Sequence, residues 1–330
     1  MNTAEKFFSK TAAYRAVIRD KEAGALSHSY LLICQDEAWL RKYARALAKL
    51  IMCEKGRLCG ECRPCRLIEK ESFADCEFYP EEGGKISAEG IDRIVSEKCY
   101  VKPLEAEMRM FCIVGAEKMN LPAQNKLLKT LEEPPKNVCI ILASAGDYSL
   151  LPTVKSRVKR LEIPLFPAGE IYKELEGRYI DKEKLKTVCE LCDGKPGKVE
   201  ALYADDAASR AVDECIQILK QMKKSRDIAH YSGKLTKKSR DEFTAFTMAM
   251  GLVLRDMLFI KEGQDDKVIN SGRLTELYTL ADAFHEGALL AVADVVGGIT
   301  AASDNNGNQT MLADKLLFAI LEENYKWQKL

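Results

Sequence analysis

The chain contains 330 residues, of which 47% are hydrophobic, so it is long enough for two or three domains with their own cores. Its 50 basic and 50 acidic side chains balance, which excludes a chain-wide attraction to nucleic acid or to an acidic membrane surface. No apolar run reaches about 18 residues, so we expect no membrane span.

Short apolar runs alternate with amphipathic segments over the first half of the chain. We predict five strands, at residues 29–34, 76–79, 110–114, 138–143 and 159–163. Helices are predicted between them, at residues 37–52, 87–99 and 122–132, with a short helix or turn at 151–157. Strand and helix units in this order predict a doubly wound parallel sheet, the α/β part of the fold.

Four cysteines follow the first of these helices with the spacing C-x5-C-x2-C-x2-C, namely Cys53, Cys59, Cys62 and Cys65. Two-residue gaps let a tight turn point successive thiolates at one centre, as a tetrahedral zinc site requires. Nearby basic side chains are expected to lower the thiol pKa, namely those of Lys55, Arg57, Arg63 and Arg66. Residues 53–65 are therefore predicted to form a structural Zn²⁺ knuckle, and four unrelated buried cysteines are the alternative.

Eight further cysteines lie outside this cluster, which makes twelve in all. Free thiols in that number suit a reducing compartment, so we predict a cytoplasmic protein. Two of them, Cys189 and Cys192, have CxxC spacing within a segment of helical periodicity, where they share one face. We interpret this pair as core-facing and keep a redox site as the less favoured interpretation.

A phosphate loop is expected after the first strand of such a sheet, but its residues are missing. The motif G-x-x-x-x-G-K-[ST] needs glycines to expose backbone N–H groups, a lysine for the phosphates and a hydroxyl for Mg²⁺. The run CQDEAWLRKY contains no glycine, and the Gly-Lys-Ser/Thr positions are occupied by Trp39, Leu40 and Arg41. Gly115 and Ala116 follow the third strand, where acidic metal ligands would stand. We expect no nucleotide to bind in this chain.

The character of the sequence changes after Pro164 and Pro167, and everything downstream reads as helical. Residues 167–204 form a small predicted helical unit with a GKPGK turn at Gly194–Lys198, and residues 205–330 contain about five predicted amphipathic helices. Three domains are therefore predicted, at 1–166, 167–204 and 205–330.

Three segments carry a resemblance to a known family, namely SHSYLL at Ser27–Leu32, LLKTLEEPP at Leu127–Pro135 and LPTVKSRVKRLEI at Leu151–Ile163. Together with the knuckle after the first helix, they resemble the delta-prime subunits of the bacterial DNA polymerase III clamp loader. The resemblance implies an AAA+-like module without a working phosphate loop, a small helical lid and a carboxyl-terminal helical collar. It also implies a ring with delta and gamma/tau-type ATPase subunits, which places the sliding clamp on primed DNA.

Within this resemblance, Ser156 and Arg157 stand at the family's Ser-Arg-Cys motif. There the arginine acts as a finger on ATP bound by the neighbouring subunit, where its guanidinium neutralises charge on the γ-phosphate. Val158 replaces the cysteine of the motif. We expect that cysteine to be a packing residue, so the replacement leaves the interpretation of Arg157 intact. A surface arginine near a strand end is the alternative interpretation of Arg157.

Two departures from the family pattern surround the knuckle. The first cysteine gap is shorter than is common in the family, so Cys76 is the alternative to Cys53 as fourth ligand. The family's His-Pro-Asp motif reads Phe73-Ala74-Asp75 in this chain.

The sequence thus leaves three hypotheses about function. The leading hypothesis is a non-hydrolysing clamp-loader subunit that completes a neighbour's ATP site through Arg157. The alternatives are an active ATPase of the same fold, which nucleotide titration would identify, and a zinc-knuckle DNA-binding protein, which would show salt-dependent DNA affinity in the isolated chain.

Overall fold

The computed structural model describes residues 1–204, 206–304 and 307–327. The chain divides into two compact units, Met1–Leu165 with Lys195–Gly197, and Phe166–Gly194 with the residues from Lys198 onward. The finer division that separates residues 167–204 from 205–330 stays a prediction. Several residues of the predicted third domain lie outside the described residues, namely 205, 305, 306 and 328–330.

The first unit is built on a five-stranded parallel sheet. Its strands are β1 Ser29–Cys34, β2 Cys76–Tyr79, β3 Arg109–Val114, β4 Val138–Ser144 and β5 Lys159–Ile163. Their spatial order is β2-β3-β4-β1-β5, so β2 and β5 are the edge strands. All residues of β1 and β4 are buried, as expected for central parallel strands covered on both faces. The predicted doubly wound parallel sheet is confirmed.

Seven helices are described in this unit, namely α1 Thr3–Ser9, α2 Ala12–Glu22, α3 Glu37–Met52, α4 Arg63–Glu69, α5 Ala88–Ser96, α6 Leu121–Glu132 and α7 Pro152–Lys155. Helix α6 begins where the Asn120 side chain accepts the N–H of Ala123, and Pro122 occupies its first turn. The helix predicted at 87–99 is shorter than expected, because α5 ends at Ser96 and a 3₁₀ turn, Lys98–Tyr100, follows.

The core on one face of the sheet joins β1, β3 and β4 to α5 and α6. Leu31, Phe111 and Ile140 from the strands pack with Ile94 and Leu127 from the helices, and all five are almost fully buried. Val158, which replaces the cysteine of the motif, also packs against this cluster.

The second unit is helical, as predicted. Its helices are α8 Ala168–Leu175, α9 Lys182–Leu191, α10 Val199–Ala204, α11 Ala207–Gln221, α12 Ser225–Leu235, α13 Arg240–Lys261, α14 Leu274–Ala283, α15 Glu286–Asp304 and α16 Gln309–Trp327. Helix α13 begins with a capping box, in which the Ser239 hydroxyl accepts the Glu242 N–H and the Glu242 carboxylate accepts the Ser239 N–H. Cys189 and Cys192 are both buried at the end of α9, which agrees with the core-facing interpretation.

Two helices of this unit are long and apolar enough to cross a membrane by length and composition alone, Arg240–Lys261 and Glu286–Ser303. The sequence had predicted no span. The two helices pack against each other and α13 also packs against α11 and α14, which is the setting of a core helix in a helical bundle. A core helix passes the same test of length and composition, so the finding is weak evidence for a membrane.

Candidate functional site

The four predicted metal ligands meet at the end of α3. Cys53 is the first residue after this helix, and Cys62 directly precedes α4. The four sulfur atoms lie within 4.8 Å of one another, with separations of 3.5 Å for Cys53 and Cys59 and 3.9 Å for Cys59 and Cys65. Four sulfurs at ~2.3 Å from a tetrahedral Zn²⁺ would be about 3.8 Å apart. The cluster therefore has the dimensions of a metal site.

Left-handed glycines turn the chain between the ligands. Gly56 and Gly60 have φ values of +74° and +70°, which residues with a Cβ rarely adopt. The turn at Gly60 allows the backbone N–H groups of Glu61 and Cys62 to reach the Cys59 sulfur, each at 3.4 Å. These two glycines thus allow the turns that position the sulfurs.

The thiols of the cluster differ in acidity. Burial opposes ionisation of Cys59, but the N–H groups of Cys62 and Glu61 and the neighbouring thiols outweigh it and lower the pKa of Cys59 to about 6. Burial raises the pKa of Cys62 and of Cys65 above the usual range. A metal ion would favour ionisation of all four thiols.

Lys21 of α2 is the basic residue that the sequence did not single out. Its Nζ donates to the carbonyls of Leu50, Ile51 and Cys53 at 2.9, 2.8 and 2.9 Å, and so caps the end of α3. Burial lowers the Lys21 pKa, and nearby Cys53 opposes that shift. The ammonium therefore holds Cys53 in place and adds positive charge beside the sulfurs. It comes from more than thirty residues away, so local sequence contains no signal for it.

Two of the four predicted basic neighbours have other partners. Lys55 pairs with Glu61 at 2.7 Å and Arg63 pairs with Glu105 at 2.7 Å, and both lysine and arginine side chains are more than half exposed. Each of these basic groups is thus engaged by a carboxylate. Their predicted effect on the thiol pKa therefore stays a prediction.

The alternative ligand Cys76 lies elsewhere. It is buried in β2 and interacts with Cys112 of β3, and the cluster of four does not include it. The geometry therefore favours Cys53 as the fourth ligand.

Asp75, the retained member of the His-Pro-Asp motif, is fully buried. Its carboxylate accepts the backbone N–H groups of Leu104, Glu105 and Ala106 at 2.7–2.8 Å, which outweigh burial and keep the Asp75 pKa below its usual range. The Asp75 carboxylate therefore holds the loop at residues 104–106 in place. Arg63 of the knuckle contacts the same loop through Glu105.

The start of α3 is arranged quite differently. Asp36 precedes the helix and is 4% exposed, and its Oδ2 accepts the N–H of Gly197 at 2.7 Å. The side chains at the Gly-Lys-Ser/Thr positions do not converge on a phosphate. Trp39 and Leu40 are buried, and Arg41 is bound to Glu71 and to the Pro80 carbonyl. A carboxylate occupies the helix start where a phosphate-binding fold presents N–H groups to an anion.

Glu117, the acidic residue that follows β3, also makes its hydrogen bonds within the chain. Gly115 is left-handed at φ +84°, and Ala116 is fully buried. Glu117 accepts hydrogen bonds from the Ser144 hydroxyl at 2.9 Å and from the Ala145 N–H at 3.1 Å. These hydrogen bonds connect the end of β4 to the segment that follows β3.

Arg157 lies between α7 and the edge strand β5. The Ser29 hydroxyl donates to its backbone carbonyl at 2.8 Å, so its main chain is tied to the first residue of β1. Its Nη1 donates to the Thr153 carbonyl at 2.8 Å and to the Ser156 hydroxyl at 3.2 Å, and its Nη2 pairs with Glu132 at 2.7 Å. The side chain is one-third exposed. A guanidinium held in this way is ordered and reachable from outside the chain.

Comparison with known proteins finds similarity to DNA polymerase III subunits. Residues 9–166 match the sequence model of the family described as "DNA polymerase III, delta subunit". The delta-prime subunit of DNA polymerase III from Bacillus subtilis is 28% identical over 267 residues, which cover 78% of this chain and 78% of that protein.

Two further relatives match over shorter segments. The delta-prime subunit from Haemophilus influenzae is 30% identical over 158 residues, which cover 46% of this chain and 47% of that protein. The gamma subunit from Buchnera aphidicola is 24% identical, with 58% of this chain and 54% of that protein covered. The chain thus spans about half the length of these two relatives.

The matched residues contain the parallel sheet, the cysteine cluster and Arg157, which are the features on which the resemblance depends. The chain is therefore similar, over residues 9–166, to the family described as "DNA polymerase III, delta subunit", and over as many as 267 residues to delta-prime subunits of bacterial DNA polymerase III.

Proposed function

We propose that this chain is the non-hydrolysing delta-prime-type subunit of a clamp loader. In that role it has no ATPase site of its own, and it supplies Arg157 to ATP bound by the adjacent ATPase subunit. It helps to load the sliding clamp onto primed DNA during replication. Gamma/tau-type ATPase subunits and delta are its partners, and the cytoplasm is its location.

The start of α3 is the observation that carries the non-hydrolysing role. A phosphate at this helix start would meet the Asp36 carboxylate, which is buried and already engaged with the Gly197 N–H. Repulsion between the two anions disfavours phosphate at this position. This supports a chain that binds no nucleotide at the family's position.

Arg157 supports a role in trans. Its backbone is fixed by Ser29, while its guanidinium is partly exposed beside an edge strand. A guanidinium supplied from a neighbouring subunit raises phosphoryl-transfer rates by about 10³–10⁵ in well-known systems. Ser156 donates to the Thr153 carbonyl and accepts from Arg157, so we assign it the role of a positioning residue.

The four sulfurs fit a structural Zn²⁺, with Cys53, Cys59, Cys62 and Cys65 as ligands. When bound, the ion would cross-link the end of α3 to α4 and keep the knuckle folded. A site closed by four protein ligands has no open position for substrate.

The test is ATP hydrolysis by the reconstituted complex of the cognate ATPase subunit, delta and this chain, with clamp and primed DNA. Arg157→Ala should still assemble, and DNA-stimulated hydrolysis and clamp loading should fall by at least about tenfold. Arg157→Lys is the matched variant, because it keeps the charge and loses the planar fork, and we expect only partial rescue.

Unchanged hydrolysis with Arg157→Ala in a fully assembled complex would contradict the finger. Nucleotide titration of the isolated chain tests the other half of the proposal. ATP binding to the isolated chain at micromolar concentration would favour the active-ATPase alternative.

A further inference from the structure

We propose that Glu132 is a latch for Arg157, which holds the guanidinium in a stowed position until ATP on the neighbouring subunit displaces the carboxylate. The inference rests on the proposed function, because it concerns the same arginine. It adds a residue and a competition step that the finger alone does not require.

The first observation is the direction of the Arg157 side chain. Its Nη1 turns back to the carbonyl of Thr153, four residues earlier, and its Nη2 reaches the Glu132 Oε1 at 2.7 Å. Both contacts lie on this chain's own surface, so the guanidinium is folded over the molecule. To reach an external phosphate it must give up the Glu132 carboxylate.

The second observation is that only the side chain has to move. The Ser29 hydroxyl holds the Arg157 carbonyl at 2.8 Å, and Ser29 itself is fully buried in β1. The Val154 carbonyl also accepts the Arg157 N–H at 3.1 Å. With its backbone anchored, Arg157 can swing between two acceptors by changes in its side-chain torsions alone.

The position of Glu132 is otherwise unfavourable, which supports a role for it. It is the last residue of α6, where a negative charge opposes the helix dipole. A paired guanidinium offsets that charge. Glu133 is the next residue, also exposed, and it makes no ion pair with Arg157 within 4.0 Å in the part of the chain that the structure describes.

The strength of the pair suits a releasable latch. Both side chains are partly exposed, at 33% for Arg157 and 49% for Glu132, and exposed pairs of this kind are weak. A γ-phosphate carries more charge than a carboxylate and can accept two guanidinium hydrogen bonds, so it outcompetes Glu132. Removing the competitor should tighten ATP at the completed site by about two- to fivefold.

The experiment compares Glu132→Gln, Glu133→Gln and Arg157→Ala in the reconstituted complex, with the ATP dependence of DNA-stimulated hydrolysis as readout. We expect Glu132→Gln to lower the KM for ATP by about two- to fivefold with kcat unchanged, because the transition-state contact of Arg157 is intact. Glu133→Gln removes the same charge one residue away and should leave KM as in the parent.

The outcomes separate the latch from the finger. If Arg157→Ala lowers kcat while Glu132→Gln leaves KM unchanged, or if Glu133→Gln shifts KM equally, the latch is wrong and the finger stands. If Arg157→Ala has no effect, both fail. In the isolated chain, Glu132→Gln should also speed solvent exchange of the Arg157 side-chain N–H protons, measured by NMR, and an unchanged rate would refute the stowed contact.

Discussion

The two ends of α3 differ in the groups that the chain places beside them. At its start, where the fold would present N–H groups to a phosphate, the chain places its own buried carboxylate, Asp36. At its end, where carbonyls attract a cation, the chain places the Lys21 ammonium and four sulfurs within 4.8 Å of one another. The start is closed by the chain itself, whereas the end is completed by a metal ion in our proposal.

The comparison shows that the two ends of a single helix can be arranged independently of each other. Each terminus is decided by a few side chains that contribute little to the sheet beneath. The packing of the core that Leu31, Phe111 and Ile140 form does not depend on whether a phosphate binds beyond β1. Experiments on the two termini should therefore give separable effects.

The largest effect is expected at the end of α3. Cys65→Ser removes a buried sulfur from the cluster, and we expect the protein to lose its stoichiometric zinc. A site filled at a thousand times its Kd stabilises the folded state by about 4 kcal/mol, so Tm should fall by about 10 °C. Metal analysis and thermal unfolding measure the two results.

Two controls sharpen this prediction. A chelator should lower the Tm of the parent protein to that of Cys65→Ser and leave the variant unaffected. Cys76→Ser, at the alternative ligand position, should retain the metal. Zinc loss with Cys76→Ser and retention with Cys65→Ser would reverse our ligand assignment.

The next effect concerns the start of α3. In Gly197→Ala, the new Cβ would lie 2.6 Å from the Trp39 Cδ1 and still closer to the Asp36 carboxylate, so one of them must shift. We expect the free energy of unfolding to fall by about 1–3 kcal/mol, with zinc content unchanged. Denaturant unfolding provides the measurement.

Gly233→Ala is the matched control, because Gly233 lies within α12 and its added Cβ meets no atom within 4 Å. That variant should be neutral or more stable by about 0.5–1 kcal/mol. Equal destabilisation by both changes would show that Asp36 and Gly197 are not in close contact.

The smallest effect is expected for Lys21→Met, which keeps the aliphatic stem and removes the charge. The carbonyls of Leu50 and Cys53 lose a donor and the sulfurs lose a nearby cation, so zinc affinity should fall by about tenfold. Competition with a chromophoric chelator measures it. Lys55→Met, whose ammonium is exposed and paired with Glu61, should change the affinity less, and a larger change there would overturn the role given to Lys21.

Much of the fold could be predicted because it depends on local patterns. The runs at residues 29–34 and 138–143 are continuously apolar, as central parallel strands require, and they lie in β1 and β4. The end of α5 was predicted too late, because the periodicity continues through Cys99, whereas the backbone tightens into a 3₁₀ turn at Lys98–Tyr100. The cysteine cluster was predictable for the same reason, since its spacing is short.

Contacts between distant residues could not be predicted in this way. Nothing near Lys21 indicates that it caps α3, and nothing near Asp36 indicates that it meets Gly197, 161 residues later. The pairing of Glu132 with Arg157 joins two motifs that the sequence marked separately, and only the fold brings them together. Such contacts depend on strand order, which local periodicity does not encode.

Strand β1 also has a consequence for assembly. Its first residue, Ser29, holds Arg157, and its last, Cys34, leads to Asp36, so the two features stand at opposite ends of a rod about 17 Å long. If Arg157 acts on a neighbour, the two faces of the chain are different, and subunits must join head to tail. A subunit that supplies an arginine to a neighbour's ATP site, and has no ATP site of its own, makes this kind of contact with one neighbour. In the proposed function it would therefore stand at the end of a row of ATPase subunits and give that row a direction.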